Sequence, residues 1–182
     1  MEIRWHGRGG QGSFTVARLL GLTAALFENK YAMAWPSFGP ERRGAPVLGF
    51  TKIDTKKITD RSEIAVCDYI VVLDETLIDQ NTIKGLKKEG AMLVNTKDGD
   101  RYSKMFPENK IVTFDATGLS LEILGKPITN TAMLGALIAV SEVVSLDSAV
   151  KGIAKEMKGS MATKNTELIN KAYQTVKGAI NG

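Results

Sequence analysis

The stretch Gly7-Arg8-Gly9-Gly10-Gln11-Gly12 decides the fold: it follows Ile3-Arg4-Trp5-His6 and runs directly into Ser13-Phe14-Thr15-Val16-Ala17-Arg18-Leu19-Leu20. A short strand, a glycine turn and an apolar helix succeed one another with no residues between them. Gly7, Gly9 and Gly12 stand at G-x-G-x-x-G spacing, where absent side chains permit a tight turn, approach of a phosphate to backbone, and close helix–strand packing. Unpaired N–H groups and the positive end of the helix dipole favour an anion there, the dipole contributing roughly 0.3–1 kcal/mol at an exposed site. Arg8 and Arg18 are nearby cations whose direction the sequence leaves open. The same glycines also suit a plain sharp corner that binds nothing, and spacing alone does not choose between the two.

A nicotinamide dinucleotide site makes one further demand, an acidic residue about twenty positions past the glycines at the end of the second strand. Ser13 to Asn29 is too densely apolar for a helix with one narrow buried stripe, and Tyr31 to Trp35 reads as the second strand. Together with the first strand these form a βαβ unit with a right-handed crossover. At its end stand Trp35, Pro36, Ser37 and Phe38, and the nearest acid, Glu41, lies beyond the Gly39-Pro40 turn. The dinucleotide reading therefore loses ground. The loop Pro36 to Pro46 carries Glu41, Arg42 and Arg43 among three prolines and two glycines. Prolines stiffen it, and two guanidinium groups beside a phosphate turn suit a ligand with several phosphate oxygens. An internal pairing of Glu41 with an arginine on a surface loop fits the same spacing.

Val47 to Ile53 reads as a third strand, antiparallel or at an edge, turning through Asp54 to Lys57 into a short return at Ile58-Thr59. Ile70 to Leu73 is a continuous apolar run of the kind buried in a parallel sheet. Asp74 and Glu75 end it, either lining a crevice at the strand's carboxyl end or, for Asp74, capping a helix from Thr76 to Lys88 that Gly90 closes. Further strands are expected at Ala91 to Asn95 and Ile111 to Phe114, separated by a polar segment from Thr96 to Asn109, with a short helix to Leu124. Ala132 to Val144 is a central apolar helix, capped by Asn130 or Thr131, whose start is a second candidate anion site. The tail holds two basic helices parted at Gly159-Ser160. The expected fold is α/β: a mainly parallel open sheet with helices on both faces, a Rossmann-like three-layer sandwich with an antiparallel addition, in a single domain over 1–182.

A domain of 182 residues buries roughly 70% of its unfolded surface, so a core forms without staples. Charge of +4 with no basic block gives no case for nucleic acid. The start lacks an apolar signal region and no stretch of about eighteen apolar residues occurs, so a cytoplasmic chain with no membrane partner is expected. Cys67 is the single cysteine, so the chain cannot supply the thiolates of an iron–sulfur cluster, and it reads as a small core residue. His6, the one histidine, is either a strand-end residue or a proton carrier. No Gly-Lys-Ser or Gly-Lys-Thr follows the turn, which excludes a P-loop hydrolase.

Four motifs in order carry a resemblance: G-R-G-G-Q-G at Gly7 to Gly12, S-F-G-P-E-R-R-G-A-P-V at Ser37 to Val47, N-T-A-M-L-G-A at Asn130 to Ala136, and K-N at Lys164-Asn165. The combination resembles the gamma subunit of pyruvate and related 2-oxoacid:ferredoxin oxidoreductases over nearly the whole chain, and its P-E-R-R-G-A-P form looks most like the pyruvate and branched-chain branches. The resemblance implies a multisubunit enzyme of anaerobic metabolism that decarboxylates a 2-oxoacid on thiamine diphosphate. Two electrons pass through clusters to ferredoxin, and acyl-coenzyme A is released. It implies that alpha, beta and delta partners hold the thiamine diphosphate, its magnesium and the 4Fe-4S clusters, while this chain supplies no catalytic residue and no metal ligand. The implied site residues are Gly7, Gly9, Gly10, Gln11, Gly12, Glu41, Arg42, Arg43 and Asn130, as an anion site facing the active centre or the phosphates of coenzyme A. The competing expectations are a free-standing Rossmann-type oxidoreductase binding NAD(P) or flavin, and a purely structural subunit.

Overall fold

In the computed structural model, residues 1–37 and 44–182 are described. Strict alternation sets the first strand, β1 (Glu2–Arg8): Ile3 and Trp5 are wholly buried on one side, while Arg4 and His6 turn to the other. The remaining strands are β2 (Tyr31–Pro36), β3 (Pro46–Asp54), β4 (Cys67–Val72), β5 (Leu86–Asn95) and β6 (Lys110–Phe114). They form one sheet in the order β2-β3-β1-β4-β5-β6. β1, β4, β5 and β6 run parallel, whereas β3 is antiparallel to both β1 and β2.

The helices are α1 (Ser13–Phe27), α2 (Gly99–Met105), α3 (Ala116–Leu124), α4 (Asn130–Ser141), α5 (Leu146–Glu156) and α6 (Gly159–Asn181). Side chains of α1 and α3 to α6 share one core with Ile3, Trp5, Val71 and Leu93. On the opposite face Phe50, Ile70, Val72 and Met92 pack with Tyr102 of α2, Phe106 just beyond it and the irregular segments around Ile64 and Ile83. The layers are therefore unequal, with α2 the only α-helix of the described residues on the second face. One crossover hand accounts for this arrangement: α1 leads toward β2 on one flank of β1, the later connections lead toward β6 on the other, and connections of like hand running in opposite directions occupy opposite faces.

Several expectations change. The strand after α1 does not pair with β1; β3 inserts between them, antiparallel to both as one of the two expectations for it had it, but internal rather than at an edge, so that β2 is the edge strand. α1 ends at Phe27, short of Asn29, whose φ is 51°. The helix expected over Thr76 to Lys88 is absent: a single 3₁₀ turn, Glu75–Leu77, is followed by turns, and β5 already begins at Leu86 and runs through Gly90. Side chains took over the backbone bonding there. Asp79 Oδ1 accepts from the Asn81 amide at 2.8 Å, Thr82 Oγ1 accepts from the Asp79 amide, and Arg4 donates to the carbonyls of Thr82 and Lys84. No strand forms at Ile58-Thr59, and the polar segment after β5 contains α2, capped by Asp98 on the Arg101 amide. α4 starts at Asn130 with Thr129 at its cap position, and neither Asn130 nor Thr131 caps it.

Candidate functional site

The carboxyl ends of β1 and β4 part where α1 leaves toward one flank and the later strands lie on the other. Such a switch point is where open α/β sheets bind ligands. The glycine turn stands at this place. Gly10 and Gly12 have φ of 96° and 82°, and a side chain on Gly12 would begin 2.5 Å from Asn130 Nδ2. The starts of α1 and α4 therefore meet at Gly12, and Asn130 Oδ1 accepts from the Thr131 amide at 2.8 Å.

Part of the turn's hydrogen-bonding capacity is already committed. The Gly9 amide donates to Ala45 O at 2.8 Å, the Gln11 amide to Arg8 O at 2.9 Å, and the Arg8 amide to Gln11 Oε1 at 2.7 Å. The expected set of free amides from Gly9 to Gly12 narrows accordingly to Gly10 and Gly12, which donate to no other described residue. Gly7 lies at the end of β1 against Ser13 and Leu73, where a side chain would begin 2.9 Å from Ser13 Oγ. Glu41, Arg42 and Arg43 lie outside the described residues. Their described flank, Gly44-Ala45, is bonded to Gly9 through both backbone groups.

A network not foreseen in the sequence closes the turn. Arg8 Nε meets Asp74 Oδ2 at 3.0 Å, Arg8 Nη2 donates to Thr76 Oγ1 at 2.8 Å, and Arg8 Nη1 donates to Gly44 O at 3.0 Å. Gln11 Nε2 donates to the same Asp74 oxygen at 3.0 Å. Partial burial pulls the Asp74 carboxyl upward, but hydrogen bonds from Thr76 and Gln11 and the charge of Arg8 outweigh it and hold the group below the usual carboxylate range. Arg8, read from sequence as a cation of open direction, is thus largely neutralised within the chain.

Beyond Asp74 a cleft of about 570 Å³ runs over the ends of β4, β5 and β6. Its lining carries four carboxylates, Asp74, Glu75, Asp98 and Asp115, against two cations, Lys97 and Arg101. Glu75 Oε2 accepts from Thr96 Oγ1 at 2.8 Å and from the Tyr102 hydroxyl at 2.9 Å. Burial, with the Glu75 bond second, pushes the Tyr102 phenol up to about 12. Asn95 bonds Leu73 O and Thr117 and so joins the ends of β4 and β5 to the start of α3. The signal for these residues was present in the sequence, since each parallel strand ends in a polar residue or is followed by one within two positions, at Arg8, Asp74, Asn95 and Asp115, but their mutual pairing was not.

Two reactive side chains lie outside this arrangement. Cys67 is fully buried and burial raises its thiol, which keeps it protonated in the core. His6 points into the second face beside Arg4; burial first, and the Arg4 charge second, lower it to about 4, so it is neutral at pH 7. Its Nε2 is enclosed without a hydrogen-bond partner among the described residues. Among the described residues no three His, Cys, Asp or Glu side chains are grouped to hold a metal ion.

Known proteins share this arrangement along its whole length. The sequence model of the pyruvate ferredoxin/flavodoxin oxidoreductase family matches residues 2–175. Pyruvate synthase subunit PorC of Methanocaldococcus jannaschii is 47% identical over 174 residues, 95% of each chain. The common subunit gamma of the pyruvate/ketoisovalerate oxidoreductases of Thermococcus kodakarensis is 44% identical over 177 residues, again 95% of each. The crystal structure of pyruvate oxidoreductase subunit PORC from Thermotoga maritima superposes with a TM-score of 0.85 at 36% identity, covering 96% of this chain and 95% of that one. With fold and sequence in agreement from end to end, the chain belongs to the pyruvate ferredoxin/flavodoxin oxidoreductase family, as its gamma-type subunit.

Proposed function

We propose that this chain works as one domain within a pyruvate:ferredoxin oxidoreductase, assembled in the cytoplasm with alpha, beta and delta subunits. The complex converts pyruvate, coenzyme A and oxidised ferredoxin to acetyl-coenzyme A, carbon dioxide and reduced ferredoxin. The observation that carries this reading is the full-length likeness to chains that are themselves named as subunits of pyruvate-oxidising enzymes. The donor set of this chain suits neither an iron–sulfur cluster nor a diphosphate-bound magnesium ion. Its one cysteine is sealed in the core, and the four acids of the cleft are engaged with hydroxyls, amides and basic side chains. Thiamine diphosphate, magnesium and the 4Fe-4S clusters accordingly belong to partners, and no step of the chemistry is assigned here.

The chain's own contribution is an anion site on the coenzyme A side. Gly7, Gly9, Gly10, Gln11 and Gly12 shape the turn, Asn130 abuts it, and Glu41, Arg42 and Arg43 complete the proposed set, the two guanidinium groups being of a type that suits phosphate oxygens. Support comes from the uncommitted amides of Gly10 and Gly12, the meeting of two helix starts, and the bonding of Gly44-Ala45 to Gly9. The carboxylates beyond Asp74 repel phosphate, which favours the side of the turn nearer Gly44. In the assembled enzyme Arg43→Ala is expected to raise KM for coenzyme A about tenfold or more, the loss of one charge-assisted bond, with KM for pyruvate and subunit assembly unchanged. An unchanged KM for coenzyme A in an intact complex rejects the site. A purely structural role, favoured by the internal bonds of Gly9 and Gln11, shows instead as failed assembly.

A further inference from the structure

Helix starts in this chain fall into two groups. α2, α3 and α5 are capped by the side chains of Asp98, Asp115 and Ser145, each accepting an amide of the first turn. α1, α4 and α6 have Gly12, Thr129 and Lys158 at the cap position, no side-chain cap bond and no acid in the first turn. These three starts lie at one end of the molecule. Gly12 meets Asn130. α4 and α6 run side by side in the same direction, since Gly135 lies against Ile169 and Lys177 donates to Ala139 O at 3.4 Å. Carried back about one turn from Gly135 and Ile169, that register sets Lys164 and Asn165 alongside Asn130 and Thr131. α5 runs the opposite way along α1, with Gly152 against Thr23 and Glu156 paired with Arg18, and so delivers Lys158 to the same end.

Donors are left over there. Asn130 Oδ1 is spent on the Thr131 amide, while its Nδ2, lying against Gly12, bonds no described acceptor. Ser13, Thr129 and Thr131 are 2%, 6% and 1% exposed, yet their hydroxyls bond no described residue. Uncapped amides, a side-chain amide and buried hydroxyls without acceptors suit an anion. Of the cations at this end, Arg8 is paired with Asp74 and Arg18 with Glu156, whereas Lys158 and Lys164 are exposed and meet no described acid. Neutral donors thus gather around Gly12, and unpaired positive charge at the start of α6.

We propose that the start of α6 is a second anion subsite, where Lys158 and Lys164 hold the 3′-phosphate of coenzyme A while Gly10, Gly12 and Asn130 hold its diphosphate. A phosphate monoester carries roughly −1.5 to −2 charge at pH 7 and draws lysine ammonium groups. A diphosphate, with its charge spread over two phosphoryl groups, suits backbone amides at a helix start. The inference rests on the anion-site reading given above and adds the residues that tell coenzyme A from its dephospho form.

The test measures KM for coenzyme A and for 3′-dephospho-coenzyme A in the assembled holoenzyme carrying Lys158→Gln and Lys164→Gln together, with Asn130→Ala in parallel. Expected for the lysine variant is a rise of about tenfold in KM for coenzyme A, with KM for the dephospho form and for pyruvate nearly unchanged. An equal rise for both thiols, or none for either, in an intact complex overturns the inference. Failure of the lysine variant to assemble, with each single substitution failing too, makes these side chains interface residues and overturns it as well. Asn130→Ala should raise both Michaelis constants alike. If it raises neither while the lysine variant keeps its selective effect, the turn reading fails and the α6 subsite stands; if it raises both and the lysine variant does nothing, the subsite alone is removed.

Discussion

Gly12 meets two requirements that no other residue satisfies together, a φ of 82° and a neighbouring Asn130 amide 2.5 Å from where a side chain would begin. Gly12→Ala is expected to destabilise the chain by about 2 kcal/mol, the cost of a left-handed non-glycine residue plus displacement of Asn130, read as a lower urea midpoint at unchanged slope. His6 makes a prediction with a sign. Its folded value of about 4 lies below the ordinary histidine value of 6.5, so in that interval the unfolded chain takes up a proton that the folded chain refuses. The contribution is complete above pH 6.5 and is lost as the pH falls from 6.5 toward 4, on the order of 3 kcal/mol in all. As this is the one histidine, few other side chains titrate between pH 6.5 and 5. The urea midpoint should fall across that window in the native chain and stay nearly level in His6→Leu.

Between elements, Thr51 carries more than its size suggests. Wholly buried on β3, it accepts the Trp5 indole N–H at 3.0 Å and donates to Ala17 O at 3.0 Å, tying β1, β3 and α1 together at the base of the glycine turn. Thr51→Val keeps the shape but leaves the Trp5 N–H buried and unpaired, and a loss of about 2 kcal/mol is expected, with a change in tryptophan fluorescence. The connection from β4 to β5 shows where reading elements from sequence failed. Apolar residues Leu77, Ile78, Ile83 and Leu86 fit a helix, but Asp79, Asn81 and Thr82 bonded the local backbone themselves, and Arg4, more than seventy residues earlier, fixed the result. The helix stripe and the Asx-type turn were both present in the sequence, and a distant guanidinium decided between them.

At the scale of the whole molecule, the acidic cleft, the neutralised Arg8 and the sealed Cys67 bear on the subunit reading proposed above. Gentle purification of the native protein is expected to bring companion chains with bound thiamine diphosphate and iron, and the separated chain is expected to reduce no ferredoxin with pyruvate; activity of the chain alone would refute the subunit reading. By itself the sequence determined the strand–turn–helix opening, the buried runs of β4 and β5, the strand β6 and the apolar α4, because alternation, glycine spacing and unbroken apolar runs act over a few residues. On motif grounds it proposed Gly7, Gly9, Gly10, Gln11, Gly12, Glu41, Arg42, Arg43 and Asn130 as site residues. Only the tertiary structure decided that β3 enters between β1 and β2, that Gly9 and Gln11 use their amides internally, and that Asp74 closes on Arg8 and Gln11. Apart from the local bond of the Gln11 amide to Arg8 O, those outcomes depend on groups brought together from distant parts of the chain, and a hydrogen bond's partner is chosen by proximity after folding, which no local pattern of residue types encodes.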